Sequence, residues 1–216
     1  MDLSEILSKK KFALYGLGVT GFSVFNYFRK TRSKNLYIWD DNKSKRLRFG
    51  QKENLKDFSK KLALVDYIIL SPGINIKKTK LKKPLLENKH KIITDLDLFY
   101  LKNPEVRSIV VTGTNGKSTT CKIIEHVFKR SKFDVKLCGN IGKAILNTNT
   151  SKKSLFIIEA SSFQLAYSQF VRPNYALILN ISNDHLDWHG NIQDYIESKF
   201  KIFSLQRKND FAFLNN

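Results

Sequence analysis

The chain has 216 residues, 42% apolar and 12% aromatic, enough for two modest domains or one large one, and no run of eighteen apolar residues is present to cross a membrane. The opening Met1-Asp2-Leu3-Ser4-Glu5 lacks the basic-then-apolar pattern of a secretory signal, and two cysteines, Cys121 and Cys138, make no disulfide framework, so a reducing cytoplasmic compartment is expected. A net charge of +19 invites a nucleic-acid partner, but the lysines are scattered, their densest cluster (residues 77–83) is broken by Thr79 and Leu81, and no arginine-rich arm is present, so the charge reads as a solvated surface that also favours anionic small substrates.

Short apolar runs rich in β-branched and aromatic residues alternate with helical patterns, which predicts an α/β chain with parallel sheets flanked by helices. Residues 12–16 read as a first strand. A helix over about residues 21–29 follows, with Phe22, Phe25 and Phe28 on one face. Between them lies Gly16-Leu17-Gly18-Val19-Thr20-Gly21, a dinucleotide fingerprint, with Asp40 nineteen residues beyond Gly21 at the end of a second strand, residues 36–40. Taken alone, this pattern predicts NAD with Asp40 on a ribose hydroxyl; the same turn can hold any pyrophosphate at a helix N-terminus. Residues 65–70 form a third expected strand, ending at Ser71-Pro72-Gly73, and residues 92–94 a short fourth.

A second unit is expected from Asn103-Pro104. Its first strand, residues 108–112, runs into Thr112-Gly113-Thr114-Asn115-Gly116-Lys117-Ser118-Thr119-Thr120, and a helix begins near Lys117 with Cys121, Ile124, Val127 and Phe128 on one face. Strand, glycine-bearing turn and helix form the context of a phosphate loop: backbone N–H groups close around oxygens, Lys117 reaches the outer phosphates, and the Ser118 hydroxyl can join a Mg2+ shell. The loop is not the general pattern, since Val111 stands where the first glycine would be. Further strands are expected at residues 135–137, 155–158, 175–179 and 211–214; the last ends two residues before the chain does, as in a sheet that continues beyond it.

The shortened loop Gly113–Thr119 resembles the ATP loop of the Mur ligases. Glu159-Ala160-Ser161-Ser162-Phe163-Gln164-Leu165, Asn180-Ile181-Ser182-Asn183-Asp184-His185-Leu186-Asp187, Ser198-Lys199-Phe200 and Cys138-Gly139-Asn140-Ile141-Gly142 resemble further motifs of that family, in the family's order. Folylpolyglutamate synthases share the loop but fit the Glu159 segment less well. The resemblance implies a Rossmann-like domain over residues 1–103 that holds a UDP-substrate, a P-loop parallel-sheet central domain over 104–216 that binds ATP and is incomplete, and a C-terminal ligase domain outside residues 1–216.

The implied activity is ATP-dependent amide ligation in peptidoglycan precursor synthesis, and the Glu159–Leu165 segment looks like that of the member adding D-glutamate to UDP-N-acetylmuramoyl-L-alanine through an acyl phosphate. It further implies Lys117 on the nucleotide, one Mg2+ at Ser118, and a second held by Glu159, His185 and a carbamate on Lys199, the last requiring a shielded amine of lowered pKa. Asp184 and Asp187 are candidates to orient His185; His189 is read as structural, and Ser161 and Ser162 as shaping the turn after Glu159. Val19, Thr20, Asp40, Asp41, Asn42 and Ser71-Pro72-Gly73 are implied near uridine, and Asn140 against substrate. The expected protein is a monomer; the chain alone is expected to bind ligand weakly without turnover, or else to be a non-catalytic binding module.

Overall fold

The computed structural model describes residues 9–31, 35–50, 54–151 and 153–215. Two all-parallel sheets carry the chain. The first is built from β1 (Phe12–Tyr15), β2 (Leu36–Trp39), β3 (Tyr67–Leu70) and β4 (Ile92–Ile93), in the order β2-β1-β3-β4. Tyr15 lies opposite both Trp39 and Leu70, so three strands end level and the turns after them gather at one edge. The order reverses at β1, and a crevice at such a reversal, outside the carboxyl ends of the strands, is where parallel sheets take ligands.

Helix α1 (Val19–Lys30) leaves that edge directly after the Gly16 turn. A Cβ at Gly21 would stand 1.8 Å from the Gly16 carbonyl oxygen, so only glycine allows the helix this close to the turn. The buried face of α1 is Gly21, Ser23, Val24 and Phe28; Phe22, expected beside Phe25 and Phe28, sits half-exposed on the rim against Phe49. At 3.6 residues per turn, positions 22 and 28 diverge by about 120° around the axis, so a repeat of three drifts off the face. Between β2 and β3 run α2 (Lys43–Arg48) and α3 (Leu55–Leu64), and α4 (Lys82–Glu87) precedes β4.

The second sheet has β5 (Arg107–Thr112), β6 (Val135–Gly139), β7 (Leu155–Glu159), β8 (Tyr175–Ile178) and β9 (Phe211–Leu214), in the order β6-β7-β5-β8-β9. Its helices are α6 (Lys117–Arg130), α7 (Ser162–Tyr167), α8 (Leu186–His189) and α9 (Ile192–Phe200). On α6, Cys121 is buried and Ile124 and Phe128 pack beside it, whereas Val127, expected on that face, is exposed; the true stripe is i, i+3, i+7.

Helix α5 (Asp95–Lys102), for which the sequence offered no polar face to read, is buried between the sheets. Leu98 belongs to the core of the first sheet, and Leu96, Phe99 and Tyr100 to that of the second. Its carboxylates complete the joint: Gln164 donates to Asp95, and the backbone N–H groups of Gln169 and Phe170 donate to Asp97.

Candidate active site

The C-terminal ends of β5, β7 and β8 meet at one edge of the second sheet. After β5 the chain turns through Gly113–Gly116 into α6. Gly116 caps that helix at φ 81°, a left-handed conformation that favours glycine. The loop is held from behind: Asn180 Oδ1 accepts the N–H groups of Thr114 and Asn115, at 3.1 and 2.9 Å, and the Thr114 hydroxyl accepts from Ser182 N and shares a 3.0 Å bond with the Tyr195 hydroxyl. Lys117 Nζ folds over the loop, donating to the Gly113 and Thr114 carbonyls at 2.9 and 2.8 Å. Asn115, Gly116, Ser118 and Thr119 are exposed, with Lys117 and Thr120 half-buried, so the helix N-terminus opens to solvent.

Glu159, at the end of β7, pairs with Val111 of β5 and therefore lies beside the loop. Its side chain is 2% exposed and bracketed by two expected site residues: Ser118 Oγ donates to Oε2 at 2.8 Å and Asn140 Nδ2 donates to Oε1 at 2.9 Å. The next turn is shaped by Ser161, which caps α7 in a capping box with Gln164, and Ser162 bonds His189 Nε2 at 3.0 Å.

Lys199, on α9, is 1% exposed. Its ammonium donates to the Gly113 carbonyl at 2.8 Å and lies 4.4 Å from the centroid of the Tyr195 ring. Burial, and then the Lys117 ammonium, lower its pKa to about 8, against a smaller opposing pull from Asp184. His185 caps α8 in a left-handed conformation, φ 53°. Its half-exposed ring lies tilted at 45° against Phe163 with centroids 4.7 Å apart, Asp184 Oδ1 stands 3.4 Å from its Nδ1, and the Tyr195 ring is 6.4 Å away. Asp187 contributes its carbonyl, which accepts from Lys78. His189 is buried among Phe163, Trp188 and Tyr195, and that burial lowers its pKa to about 4. Cys121 and Cys138 are buried core thiols, both pushed up to about 12 by desolvation.

Two residues of this cluster escaped the sequence reading. Tyr195 ties Thr114 to Lys199, and its signal was spacing: four residues before Lys199 on a helix puts it on the same face. Asn180 staples the phosphate loop, which nothing in its local sequence announces.

Mg2+ prefers hard oxygen ligands. The Ser118 hydroxyl and Glu159 carboxylate, already in contact, satisfy that preference. Among the described residues no three His, Cys, Asp or Glu side chains group as a metal site. The Lys199 amine is buried and easily neutralised, the condition that carbamate formation would require.

At the edge of the first sheet, the expected uridine neighbours Val19, Thr20, Pro72 and Gly73 are solvent-accessible, Val19 at 87%. The other four already hold internal tasks. Asp40 is buried, its oxygens accepting from Leu17 N and Asn42 N at 2.7 and 2.8 Å, so it closes the glycine turn. Asp41 accepts from the Tyr15 hydroxyl and Trp39 Nε1, and Asn42 caps α2. Ser71 Oγ donates to the Gly16 carbonyl at 2.7 Å, joining two turns of the crevice.

Residues 111–216 match the Mur ligase middle domain. The UDP-N-acetylmuramoylalanine–D-glutamate ligase of Rickettsia prowazekii is 34% identical over 96% of this chain and 46% of its own length; that of Rickettsia felis is 37% identical over 96% and 46%. The chain thus spans about half the length of these curated relatives. The solved UDP-N-acetylmuramate:L-alanyl-gamma-D-glutamyl-meso-diaminopimelate ligase from Neisseria meningitides shares the fold, with a TM-score of 0.53 at 14% identity over 96% of this chain and 71% of that one. A middle-domain match over the phosphate loop and everything after it, with near-complete coverage by ligases of one kind, means that the chain belongs to the Mur ligase family.

Proposed function

We propose that this chain is the nucleotide- and substrate-binding part of a cytoplasmic, monomeric ATP-dependent amide ligase of peptidoglycan precursor synthesis, one that joins D-glutamate to UDP-N-acetylmuramoyl-L-alanine. The observation that carries it is the Gly113–Gly116 loop with Lys117, Ser118, Glu159 and Lys199 drawn around it. An amide forms from a carboxylate only once a good leaving group is installed, and ATP would supply phosphate for that. Carboxylate and polyphosphate repel, so cations must lie between them. Lys117 would hold the outer phosphates, and the loop N–H groups and α6 N-terminus would receive the rest. Mg2+ held by Ser118 and Glu159, and a second held by Glu159, His185 and carbamylated Lys199, would supply the remaining positive charge. Asn140, bonded to Glu159, would meet the alanyl end of the substrate.

Residues 1–103 would hold the UDP moiety at the Gly16 turn, between exposed Val19, Thr20 and the Ser71–Gly73 turn. In the dehydrogenase reading the same turn would hold NAD, with Asp40 on a ribose hydroxyl. Calorimetric titration separates the two: the UDP-sugar should bind residues 1–216 and NAD should not, with no phosphate release from ATP by this chain alone. NAD binding without UDP-sugar binding, or ligase turnover from these residues, would overturn the assignment.

A further inference from the structure

His185 has an awkward setting. A side-chain-bearing residue in the left-handed region carries a conformational cost and persists only where its surroundings fix it. The helix it caps, Leu186–His189, has four residues, too few to hold itself together. Its C-terminal end is instead gripped from the other sheet's unit. Asn75 Nδ2 donates to the Trp188 carbonyl at 2.7 Å, Lys77 Nζ to the His189 carbonyl at 3.0 Å, and Lys78 Nζ to the Asp187 carbonyl at 2.7 Å. Three consecutive carbonyls are thus capped by three donors, two of them cations at the negative end of the helix. Lys77 also pairs with Asp194 at 3.0 Å, and Ile76 N donates to the Tyr167 hydroxyl at 3.1 Å.

These donors follow the Ser71–Gly73 turn, whose Ser71 is bonded to the Gly16 turn, so one short segment connects the glycine crevice with the His185 turn. We infer that Asn75, Lys77 and Lys78 are positioning residues: they fix α8 so that His185 keeps its left-handed turn beside Phe163 and Tyr195. The role given to His185 in the reaction rests on the ligase reading; the grip itself does not.

The test uses the chain as it is, with the His185 ring and Trp188 indole signals followed by NMR. In Lys77→Met combined with Asn75→Ala, both sets of signals should shift and broaden, while the Thr114 and Gly116 amides and the affinity for Mg·ADP stay as in the parent. Lys77→Arg, which can still donate to a carbonyl, should restore the parent spectrum when Asn75 is intact. Unmoved His185 signals in the double variant, or phosphate-loop amides that move as much as His185, would overturn the assignment. The ring signals need no ligand, so a failure of UDP-sugar binding would count against the ligase reading and leave this outcome separate.

Discussion

Lys199 concentrates the residue-scale chemistry. A lysine 1% exposed and near a second ammonium is costly to keep charged, even with a carbonyl accepting from it at 2.8 Å, which is why its pKa falls to about 8. At pH 7.5 about a quarter of such amines are neutral, against roughly one in a thousand for an unperturbed lysine. Carbon dioxide reacts only with the neutral form. With 13C-labelled bicarbonate, a carbamate signal should therefore appear, grow as pH rises from 7 toward 9, and vanish in Lys199→Ala. A signal surviving that substitution, or none at any pH, would remove the modified lysine from the account. The folding sign follows too: a lysine with a lowered pKa weakens the fold as pH drops through about 8, because the native state resists the proton.

At the scale of elements, α5 is the joint between the sheets, and it carries two buried carboxyls, Asp95 and Asp97, both with a pKa raised by burial. Burial raises the Asp97 pKa to about 6 despite bonds donated by Phe170, Thr94 and Gln169. A carboxyl whose folded pKa exceeds its unfolded value supports the fold fully below about pH 4 and loses that support as pH climbs through 6. Urea unfolding of the parent and of Asp97→Asn should thus diverge with pH, the parent losing roughly 2–3 kcal/mol relative to the variant between pH 4 and 7. A gap independent of pH would mean that Asp97 does not titrate in that window. What was legible also divides by element. The strands were legible because each is a short β-branched or aromatic run, and the Gly113–Lys117 turn because strand, glycine and helix follow one another in sequence. Of the helices only α1 and α6 were read; α2, α4 and α8, for instance, have six residues or fewer and lack a periodic stripe. Phe22 and Val127 were misassigned because spacing of three, or of six from Cys121, drifts off a helical face.

For the whole molecule, the two sheets present their carboxyl ends to separate turns, and the contacts between them include α5, Asn75–Lys78, and Gln169 and Phe170 against the first sheet. Glu159, Lys117 and Lys199 could be singled out from sequence because their motifs are contiguous. The tasks of Asn180 and Lys77 could not, since each acts on a residue 65 or more positions away. The lysine cluster at residues 77–83, read as solvated surface, supplies two of the donors on α8. Everything proposed for function depends on nucleotide phosphates resting on the Gly113–Thr119 turn under Lys117. Titrating Mg·ADP into residues 1–216 by calorimetry tests this most directly: one saturable site is predicted, weakened in Lys117→Ala by about 1.5–3 kcal/mol, the worth of a hydrogen bond to a charged group. Absence of binding, or equal affinity in Lys117→Ala, would contradict it.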